Sequence, residues 1–467
     1  MKKLYIAFIA VFLAVCLIPS LGFLLFPTTE TTENRAMSAA PRLTQEDGSP
    51  NASFFRDFEN WFNERMGLRN ELVSADAKIQ SAVFAESSVG GVVRGTGGWL
   101  YYSSTLDDFR GTSVLSGRDL FCLAENFSVV RDWLEARDIS FVLTVPPNKN
   151  TLYGEHMPYY DSVTVSDDHS AVLLGPLLAE RGINYVNLFD LLSSDGRTLY
   201  LRRDSHWNSD GACLAYDAVM DALERPHAAY DGADVSYERT RDGDLNRMLY
   251  SFYGPYEENA VYPLPGAWTY DREGADVEDG WIVTEAPGAE GTLLMFRDSF
   301  ANTLIPFLSE EFGTACYSKG MPNALERYAD AWDPDCVVIE KVERNISEYL
   351  SGPPILTPAE TDAPRDITIA ETDTRIEVSV SENDVNYLAF TGTVDPARVT
   401  EDTRILVSVG DRTYPAYMTG GNGFLLYLKA ADVTGPSAAV RVYAVSDGGA
   451  LLALYGELSL PGGAGAP

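Results

Sequence analysis

Alternation of helical and strand-like segments between residues 119 and 342 limits the possible folds of this chain more than any other feature. Short apolar runs, which predict buried strands, alternate with longer amphipathic stretches, which predict helices. The apolar runs are 139–145, 185–191, 291–296 and 336–342, and the helical stretches are 120–136, 173–179, 209–223 and 300–312. Strands that alternate with helices form a mostly parallel sheet with helices on both faces. The sequence therefore predicts an α/β domain over residues 91–348, with an irregular insertion at about 225–290.

The N-terminal segment, residues 1–27, has a different composition. The 23 residues from Leu4 to Phe26 carry no charge, and a helix of this length spans a hydrocarbon core of roughly 30 Å. Lys2 and Lys3 before it and acidic residues after it predict a single-pass membrane anchor, with a cytoplasmic N-terminus and extracellular main domains. A cleaved signal peptide is the alternative, although its apolar region is usually about 7–15 residues long.

Three further regions flank the α/β domain. Residues 28–90 are expected to form a polar stalk and then an aromatic-rich helix. The aromatic residues at helical spacing, which we expect to face a core, are Phe54, Phe58, Trp61 and Phe62. Residues 349–366 are rich in Pro and Thr and predict a linker. Short β-rich runs separated by Gly, Asp and Asn turns predict an antiparallel β-sandwich over residues 367–467.

Composition argues against several classes of function. The chain has 68 Asp and Glu against 35 Lys and Arg, a net charge of −33, which disfavours nucleic acid and anionic lipid headgroups as partners of the part that follows the anchor. Five cysteines without a Cys-x-x-Cys pair and four histidines predict neither a disulfide scaffold nor a zinc site. We expect no metal and no cofactor.

Two places in the predicted sheet carry residues suited to nucleophilic catalysis. Asp204 lies two residues before His206 in a turn, where a carboxylate can bond imidazole Nδ1 and leave Nε2 as a base. Ser299 lies between an apolar run and the following helix, where its own amide can face an oxyanion. Because reactive groups gather at strand ends in α/β sheets, we expect a Ser-His-Asp triad here. Taken singly, Ser299 also fits a helix N-cap, and the Asp-His pair also fits a surface turn.

Short motifs between residues 33 and 348 resemble the bacterial DHHW family, which is similar to AlgJ/AlgX-type polysaccharide O-acetyltransferases with an SGNH-hydrolase-like domain. Besides the aromatic helix at 54–62, the motifs are Glu33-Asn34-Arg35, Gly97-Gly98-Trp99-Leu100-Tyr101, Val145-Pro146-Pro147-Asn148-Lys149, Arg203-Asp204-Ser205-His206-Trp207 and Arg297-Asp298-Ser299-Phe300-Ala301. The Asp-His pair precedes the Ser, as in those acetyltransferases and opposite to ordinary SGNH esterases.

The resemblance implies an SGNH-hydrolase-like α/β fold with Ser299 as nucleophile, His206 as base and Asp204 as the residue that orients it. It also implies O-acetyl transfer to a cell-envelope or secreted polysaccharide, with a membrane-bound O-acyltransferase as the acetyl source. Ser205 stands where the family has His, so a separate role of that His would be lost here. Candidates for binding substrate or an oxyanion are Arg297, Asn148, Lys149 and Trp207, although scaffolding is the alternative for the charged residues.

Two other functions remain open at this point. An acetyl esterase would use the same triad and pass the acyl group to water instead of to a sugar hydroxyl. A non-catalytic protein would use the same fold to bind glycan or to organise envelope assembly. The sequence does not separate these functions from acetyl transfer, because the difference depends on how well the site excludes water and on whether the triad forms.

Overall fold

A seven-stranded sheet forms the centre of the computed structural model. The described residues are 2–29, 37–45, 48–83, 87, 89–230, 232–250, 256–365, 367–369, 376–383, 385–446 and 449–460. Across the sheet the strands follow the order Tyr185–Val186, Ser140–Thr144, Cys336–Glu340, Thr292–Phe296, Thr314–Ser318, Trp281–Glu285 and Thr269–Tyr270. The first five run parallel, and Trp281–Glu285 pairs antiparallel with the fifth. The predicted mostly parallel sheet is thus confirmed.

Helices cover both faces of this sheet, as the alternation predicts. One face packs against helices Gly117–Glu135, Ser170–Glu180 and Leu325–Trp332, and the other against Leu188–Ser194, Ser209–Ala222 and Ile305–Glu311. In strand Cys336–Glu340, Val337 and Ile339 belong to one buried cluster and Val338 to the other. Because alternate side chains point to opposite faces and both faces are covered, the strands read as continuous apolar runs.

Two elements of this domain have bounds in the structure that differ from the predicted ones. The strand predicted over 185–191 ends at Val186, because the Asn187 side chain accepts hydrogen bonds from two following amides and begins a helix. The helix predicted over 300–312 is divided into a 3-10 turn, Phe300–Thr303, and helix Ile305–Glu311. The short turn holds the segment after Ser299 close to the sheet.

The segment at 225–290, predicted to be irregular, contains regular structure. Strands Ser236–Arg241 and Glu257–Val261 form an antiparallel hairpin, and helix Asp244–Leu249 lies between them in the chain. Strands Thr269–Tyr270 and Trp281–Glu285 extend the central sheet. The prediction was wrong for the hairpin because its first strand is largely exposed and polar, so it lacks the apolar alternation of a half-buried strand.

The described residues between 367 and 460 form two packed β-sheets that rest on helix Gly117–Glu135. One sheet has the order Ile367–Ile369, Gly449–Ser459, Ser437–Ser446, Arg404–Val409 and Arg412–Pro415, and the other Val378–Glu382, Tyr387–Thr393, Gly423–Lys429 and Tyr417–Met418. The β-rich region is as predicted, except that Ile367–Ile369 pairs in parallel with its neighbour. In the predicted linker, Ile355 and Leu356 are buried, so this segment is part of the core.

Residues before the α/β domain form helices Lys2–Leu25, Phe54–Glu64 and Arg69–Val83. Among the described residues, no helix combines the length and the apolar character that a membrane crossing requires. The anchor predicted for residues 1–27 is therefore unsupported. The aromatic helix contacts Phe23 through Trp61 and Phe62, with ring centroids 5.1 and 4.9 Å apart. Phe58 is 43% exposed, so the aromatic stripe does not face a core along its whole length.

The glycine-rich segment at 90–102 forms a hairpin. Strands Val92–Arg94 and Leu100–Tyr102 pair antiparallel, and Gly97 and Gly98 both adopt positive φ angles, 64° and 83°. Residues other than glycine rarely adopt such angles, which explains the Gly-Gly pair in the turn. The remaining described helices are short: Leu106–Phe109, Lys149–Leu152 and Glu348–Ser351.

Candidate active site

Asp204, His206 and Ser299 meet in one hydrogen-bonded chain. His206 Nδ1 lies 2.7 Å from Asp204 Oδ1, and His206 Nε2 lies 2.8 Å from Ser299 Oγ. Ser299 follows the central strand Thr292–Phe296. The Asp-His pair lies in a turn closed by a bridge between Tyr200 and Trp207, and not at the end of a central strand as predicted. The geometry is that of a serine, a base and an orienting carboxylate.

Burial and charge act in opposite directions on the Asp204–His206 pair. Burial raises the pKa of Asp204, but the hydrogen bond and charge of His206, together with Arg241, hold that pKa below its ordinary value. Burial lowers the pKa of His206, but the hydrogen bond and charge of Asp204 and the charge of Asp244 raise it above its ordinary value. The pair therefore stabilises the imidazolium that would form when His206 takes a proton from Ser299.

The turn that carries Ser299 is fixed from within the sheet. Asp298 Oδ1 accepts the Phe300 amide and Oδ2 accepts the Val342 amide, both at 2.9 Å, and the Asp298 amide donates to Glu340 Oε2 at 2.8 Å. Burial and the neighbouring Asp298 raise the pKa of Glu340 well above its ordinary value. Ser299 makes no side-chain capping bond, so the N-cap explanation does not apply. Its hydroxyl is directed to His206 instead.

The loop that carries Asp204 is fixed by a buried ammonium group. Lys149 Nζ donates to the carbonyls of Asp204 at 2.5 Å and of Leu201 and Arg202 at 3.2 Å. Burial lowers the pKa of Lys149 to about 8, against the opposing effect of nearby carboxylates. This side chain, a substrate candidate from the sequence, is directed at the loop backbone.

The other three candidates from the sequence also make contacts within the protein. Arg297 donates to the carbonyls of Val277 and Asp279 at 2.7 and 3.0 Å. Trp207 Nε1 donates to the Phe300 carbonyl at 3.0 Å, and its side chain is buried. Asn148 is buried as well; its amide side chain donates to Asp108 Oδ2 and accepts from Arg344, at 3.0 and 3.2 Å. The structure thus brings the triad residues together but engages these candidates in scaffolding.

Asp244, which the sequence reasoning missed, binds the residue that replaces the family His. Ser205 donates to Asp244 through its hydroxyl at 2.5 Å and through its amide at 2.7 Å. Asp244 Oδ2 is also 3.7 Å from His206 Nδ1, and the Asp244 amide donates to Asp204 Oδ2 at 3.3 Å. Asp244 begins the helix within the 225–290 segment. No local sequence signal links it to a turn 39 residues earlier.

Arg344 is a second residue that the sequence reasoning missed. Its guanidinium lies 5.7 Å from the ring centroids of Phe300 and Tyr102, and its charge is one of the influences that lower the pKa of His206. Arg344 follows strand Cys336–Glu340, the neighbour of the strand that leads to Ser299. The strand-end rule that selected Ser299 would have selected Arg344 as well.

Asp204, His206 and Asp244 place three atoms that are able to bind a metal within 4.8 Å of one another. Asp204 Oδ1 and His206 Nδ1 are joined by the 2.7 Å hydrogen bond. A metal ion bound to both atoms would have to displace the proton between them, because metal ligands bind in their deprotonated forms. These two atoms therefore cannot keep their hydrogen bond and share a metal ion at the same time.

Solved structures similar to this chain include three bacterial proteins. Bacillus cereus PatB1 is 14% identical and aligns over 55% of this chain and 96% of its own, with a TM-score of 0.43. A DHHW family protein from Eubacterium siraeum is 16% identical over 56% and 93%, with a TM-score of 0.40. The O-acetyltransferase domain of Pseudomonas putida AlgJ is 18% identical over 55% and 92%, with a TM-score of 0.36.

Sequence comparison finds relatives of part of the α/β domain. The probable alginate O-acetylase AlgJ of Pseudomonas fluorescens is 26% identical over 173 residues, 35% of this chain, and the match spans only 41% of that relative. Residues 92–261 match the family model of the SGNH hydrolase-like domain of acetyltransferase AlgX. The match contains Asp204 and His206 but ends before Ser299, and Glu33-Asn34-Arg35 lies outside the described residues. The resemblance to AlgJ/AlgX-type proteins is confirmed: residues 92–261 are similar to the SGNH hydrolase-like domain of acetyltransferase AlgX.

Proposed function

We propose that this chain is a serine-dependent O-acetyltransferase that modifies a cell-envelope or secreted polysaccharide. The observation that carries the proposal is the chain of hydrogen bonds from Asp204 through His206 to Ser299, at 2.7 and 2.8 Å. The AlgX-type domain and the similarity to AlgJ support acetyl transfer as the class of reaction. A nucleophile that is hydrogen-bonded to an oriented base is the arrangement that acyl transfer through a covalent intermediate requires.

In the first half of the reaction, Ser299 takes the acetyl group from a donor ester. Ser299 Oγ attacks the carbonyl carbon while its proton passes to His206 Nε2, and a tetrahedral oxyanion forms. We propose that the Ser299 amide and Arg344 stabilise this oxyanion, an effect of about 10²–10³-fold in rate for a single donor. The C–O bond to the donor alcohol then breaks, the alcohol leaves with the proton from His206, and acetyl-Ser299 remains.

In the second half, a sugar hydroxyl removes the acetyl group. The hydroxyl gives its proton to His206 and attacks acetyl-Ser299; the sugar acetate forms and Ser299 regains a proton from His206. Water in place of the sugar would give hydrolysis. We further propose that residues 28–467 act outside the cell and receive acetyl groups through a membrane-bound O-acyltransferase. Two lysines before an apolar N-terminal stretch are also typical of an export signal peptide, which supports a location outside the cell.

The test uses the full chain with a chromogenic acetate ester, in the presence and absence of soluble polysaccharides. Ser299→Ala and His206→Ala should each lower ester turnover by about three orders of magnitude or more, because triad members act as a unit. Ser194→Ala, at an exposed helical serine, is the matched control and should behave as wild type. Acetate bound to the polymer would identify a transferase, and free acetate alone an esterase. Turnover unchanged in both triad variants would refute a catalytic triad.

A further inference from the structure

A polar cavity of about 590 Å³ lies beside the loop that leads to Asp204. One wall is the hairpin of strands Ser236–Arg241 and Glu257–Val261, and the other contains the Gly97–Gly98 turn and the segment Tyr200–Arg203. The mechanism proposed above uses none of the side chains that line this cavity. The cavity therefore requires a separate explanation.

One face of the hairpin carries the side chains that line the cavity. Tyr237 and Arg239 are two residues apart on one strand, Arg239 pairs with Glu258, and Tyr256 lies two residues before Glu258. Since side chains two residues apart on a strand share a face, as do cross-strand partners, Tyr237, Arg239 and Glu258 point to the same side of the hairpin. Tyr256 directly precedes the second strand. All four line the cavity. The two tyrosines are 60% and 55% exposed.

The two walls are joined by a carboxylate, which holds the cavity in shape. Glu257, whose neighbours Tyr256 and Glu258 face the cavity, accepts the amides of Arg202 at 2.8 Å and Arg203 at 2.6 Å. Arg203 is the residue directly before Asp204. The hairpin and the loop that carries Asp204 and His206 are thus fixed to each other. A ligand that binds in the cavity is therefore held at a constant position relative to that loop.

A second cavity of about 430 Å³ shares Asp210 and Tyr237 with the first. It adds the side chains of Tyr230 and Tyr262 to the lining. The two cavities therefore adjoin each other at Asp210 and Tyr237, and together we call them the groove. Tyrosine side chains and charged side chains of both signs line it. Along the hairpin, Tyr237 and Tyr256 are separated by roughly 10 Å, since Ala260, the partner of Tyr237, is three strand residues from Glu257, which directly follows Tyr256.

We infer that this groove binds the polysaccharide acceptor, an inference that rests on the proposed function. Tyrosine combines an apolar ring with a hydroxyl, which suits a sugar with apolar ring faces and many hydroxyl groups. Charged and hydroxyl side chains of both donor and acceptor character supply partners for those hydroxyls. Two exposed rings so far apart contact different sugar units, so the groove fits an extended chain better than a single sugar. Acceptor bound beside the Asp204 loop raises the local concentration of sugar hydroxyls.

The experiment compares the full-length wild type with the double variant Tyr237→Ala/Tyr256→Ala. Binding is measured by the retardation of each protein in native gels that contain a soluble neutral β-glucan or a soluble polyuronate. We expect one of these polymers to retard the wild type. The double variant should bind that polymer at least about tenfold more weakly, since two aromatic contacts are lost. Tyr159→Ala, at a tyrosine that is 71% exposed and does not line the groove, should bind as wild type.

Turnover of the chromogenic acetate, which is too small to fill the groove, measures the triad separately from polymer binding. It should be the same in the double variant, in Tyr159→Ala and in wild type. Equal retardation of the double variant and the wild type would overturn the inference that the groove binds the polysaccharide. No retardation of the wild type by either polymer would overturn it as well. If ester turnover is independent of Ser299 while retardation depends on the two tyrosines, the proposed function fails and the groove stands.

Discussion

The two halves of the candidate site are held in place in different ways. The turn of Ser299 is fixed by amides and carboxyl groups at the ends of central strands, through Asp298 and Glu340. The turn of Asp204 and His206 is fixed by side chains from elsewhere, namely Lys149 and Asp244. The proposed nucleophile therefore depends on the sheet, and the proposed base depends on a lysine after one strand and on the inserted segment.

This difference has a consequence for how the site tolerates change. Sheet topology fixes the nucleophile turn, so a substitution there affects stability and activity together. The inserted segment is an addition at the edge of the domain, and a substitution there should affect the base while the fold remains. The predictions below test this separation, beginning with the largest expected effect.

At the nucleophile turn, Asp298→Ala should reduce both activity and stability. The amides of Phe300 and Val342 would lose their acceptor, at a cost of about 1–3 kcal/mol for each buried group. We expect the free energy of unfolding to fall by about 2–4 kcal/mol, and ester turnover by about 10³-fold, because the position of Ser299 is lost. Urea denaturation and the chromogenic assay measure the two effects. Full stability with lost activity would contradict the structural role.

At the base turn, Lys149→Met should cost activity more than stability. It removes the donor to three carbonyls that hold Asp204, but it also removes a charge whose burial is unfavourable. We expect a decrease in kcat/KM of about 10²-fold from the displaced Asp-His pair, with a smaller loss of unfolding free energy than in Asp298→Ala. Lys429→Met, which removes the ion pairs of a lysine of the β-rich region with Glu326 and Asp330 of the α/β domain, is the control. Activity equal to wild type in Lys149→Met would show that the base turn is fixed without the ammonium.

The sequence predicts the sheet-dependent half of the site better than the other half. Apolar runs that end near 296 and 342 are visible in the sequence because strands covered on both faces are apolar throughout. A serine directly after such a run is therefore recognisable, and the same rule would have found Arg344. The Asp-His pair was recognisable only by its spacing, because its turn follows no central strand.

The inserted segment was not predictable by the same rules. Its hairpin buries little apolar surface on its first strand, so hydrophobic periodicity gives no signal there. Asp244 reaches Ser205 across 39 residues, and periodicity describes only neighbours along the chain. Ser205 was interpreted as the loss of a family histidine. Its hydroxyl in fact donates to a second carboxylate beside the imidazole, so the substitution brings a contact of its own.

Asp244→Asn should shift the pH dependence of the reaction while leaving most of the activity. The charge of Asp244 is one of the influences that raise the pKa of His206, and neutral Asn removes it. Because His206 acts as a base only when unprotonated, activity rises as pH passes through its pKa. The rise in kcat/KM should therefore move to lower pH in the variant, with a change of less than about tenfold at the plateau. Asp335→Asn, on the opposite end of the sheet, is the control, and an unchanged profile in Asp244→Asn would contradict the coupling.

The smallest expected effect is that of a metal chelator. The atoms of Asp204, His206 and Asp244 lie close enough to bind a cation, but the proposed reaction requires the Asp204–His206 hydrogen bond, which a bound metal would replace. We expect EDTA to leave ester turnover unchanged and added Zn²⁺ to inhibit, with the inhibition weaker in Asp244→Asn because one potential ligand is lost. Loss of activity with EDTA and recovery with Zn²⁺ would mean that the three residues work as a metal site. A cation would then lie at the turn of Asp204 and His206. His206 would be a metal ligand and not the base for Ser299, so the comparison between a nucleophile fixed by the sheet and a base fixed by other side chains would no longer describe the chemistry.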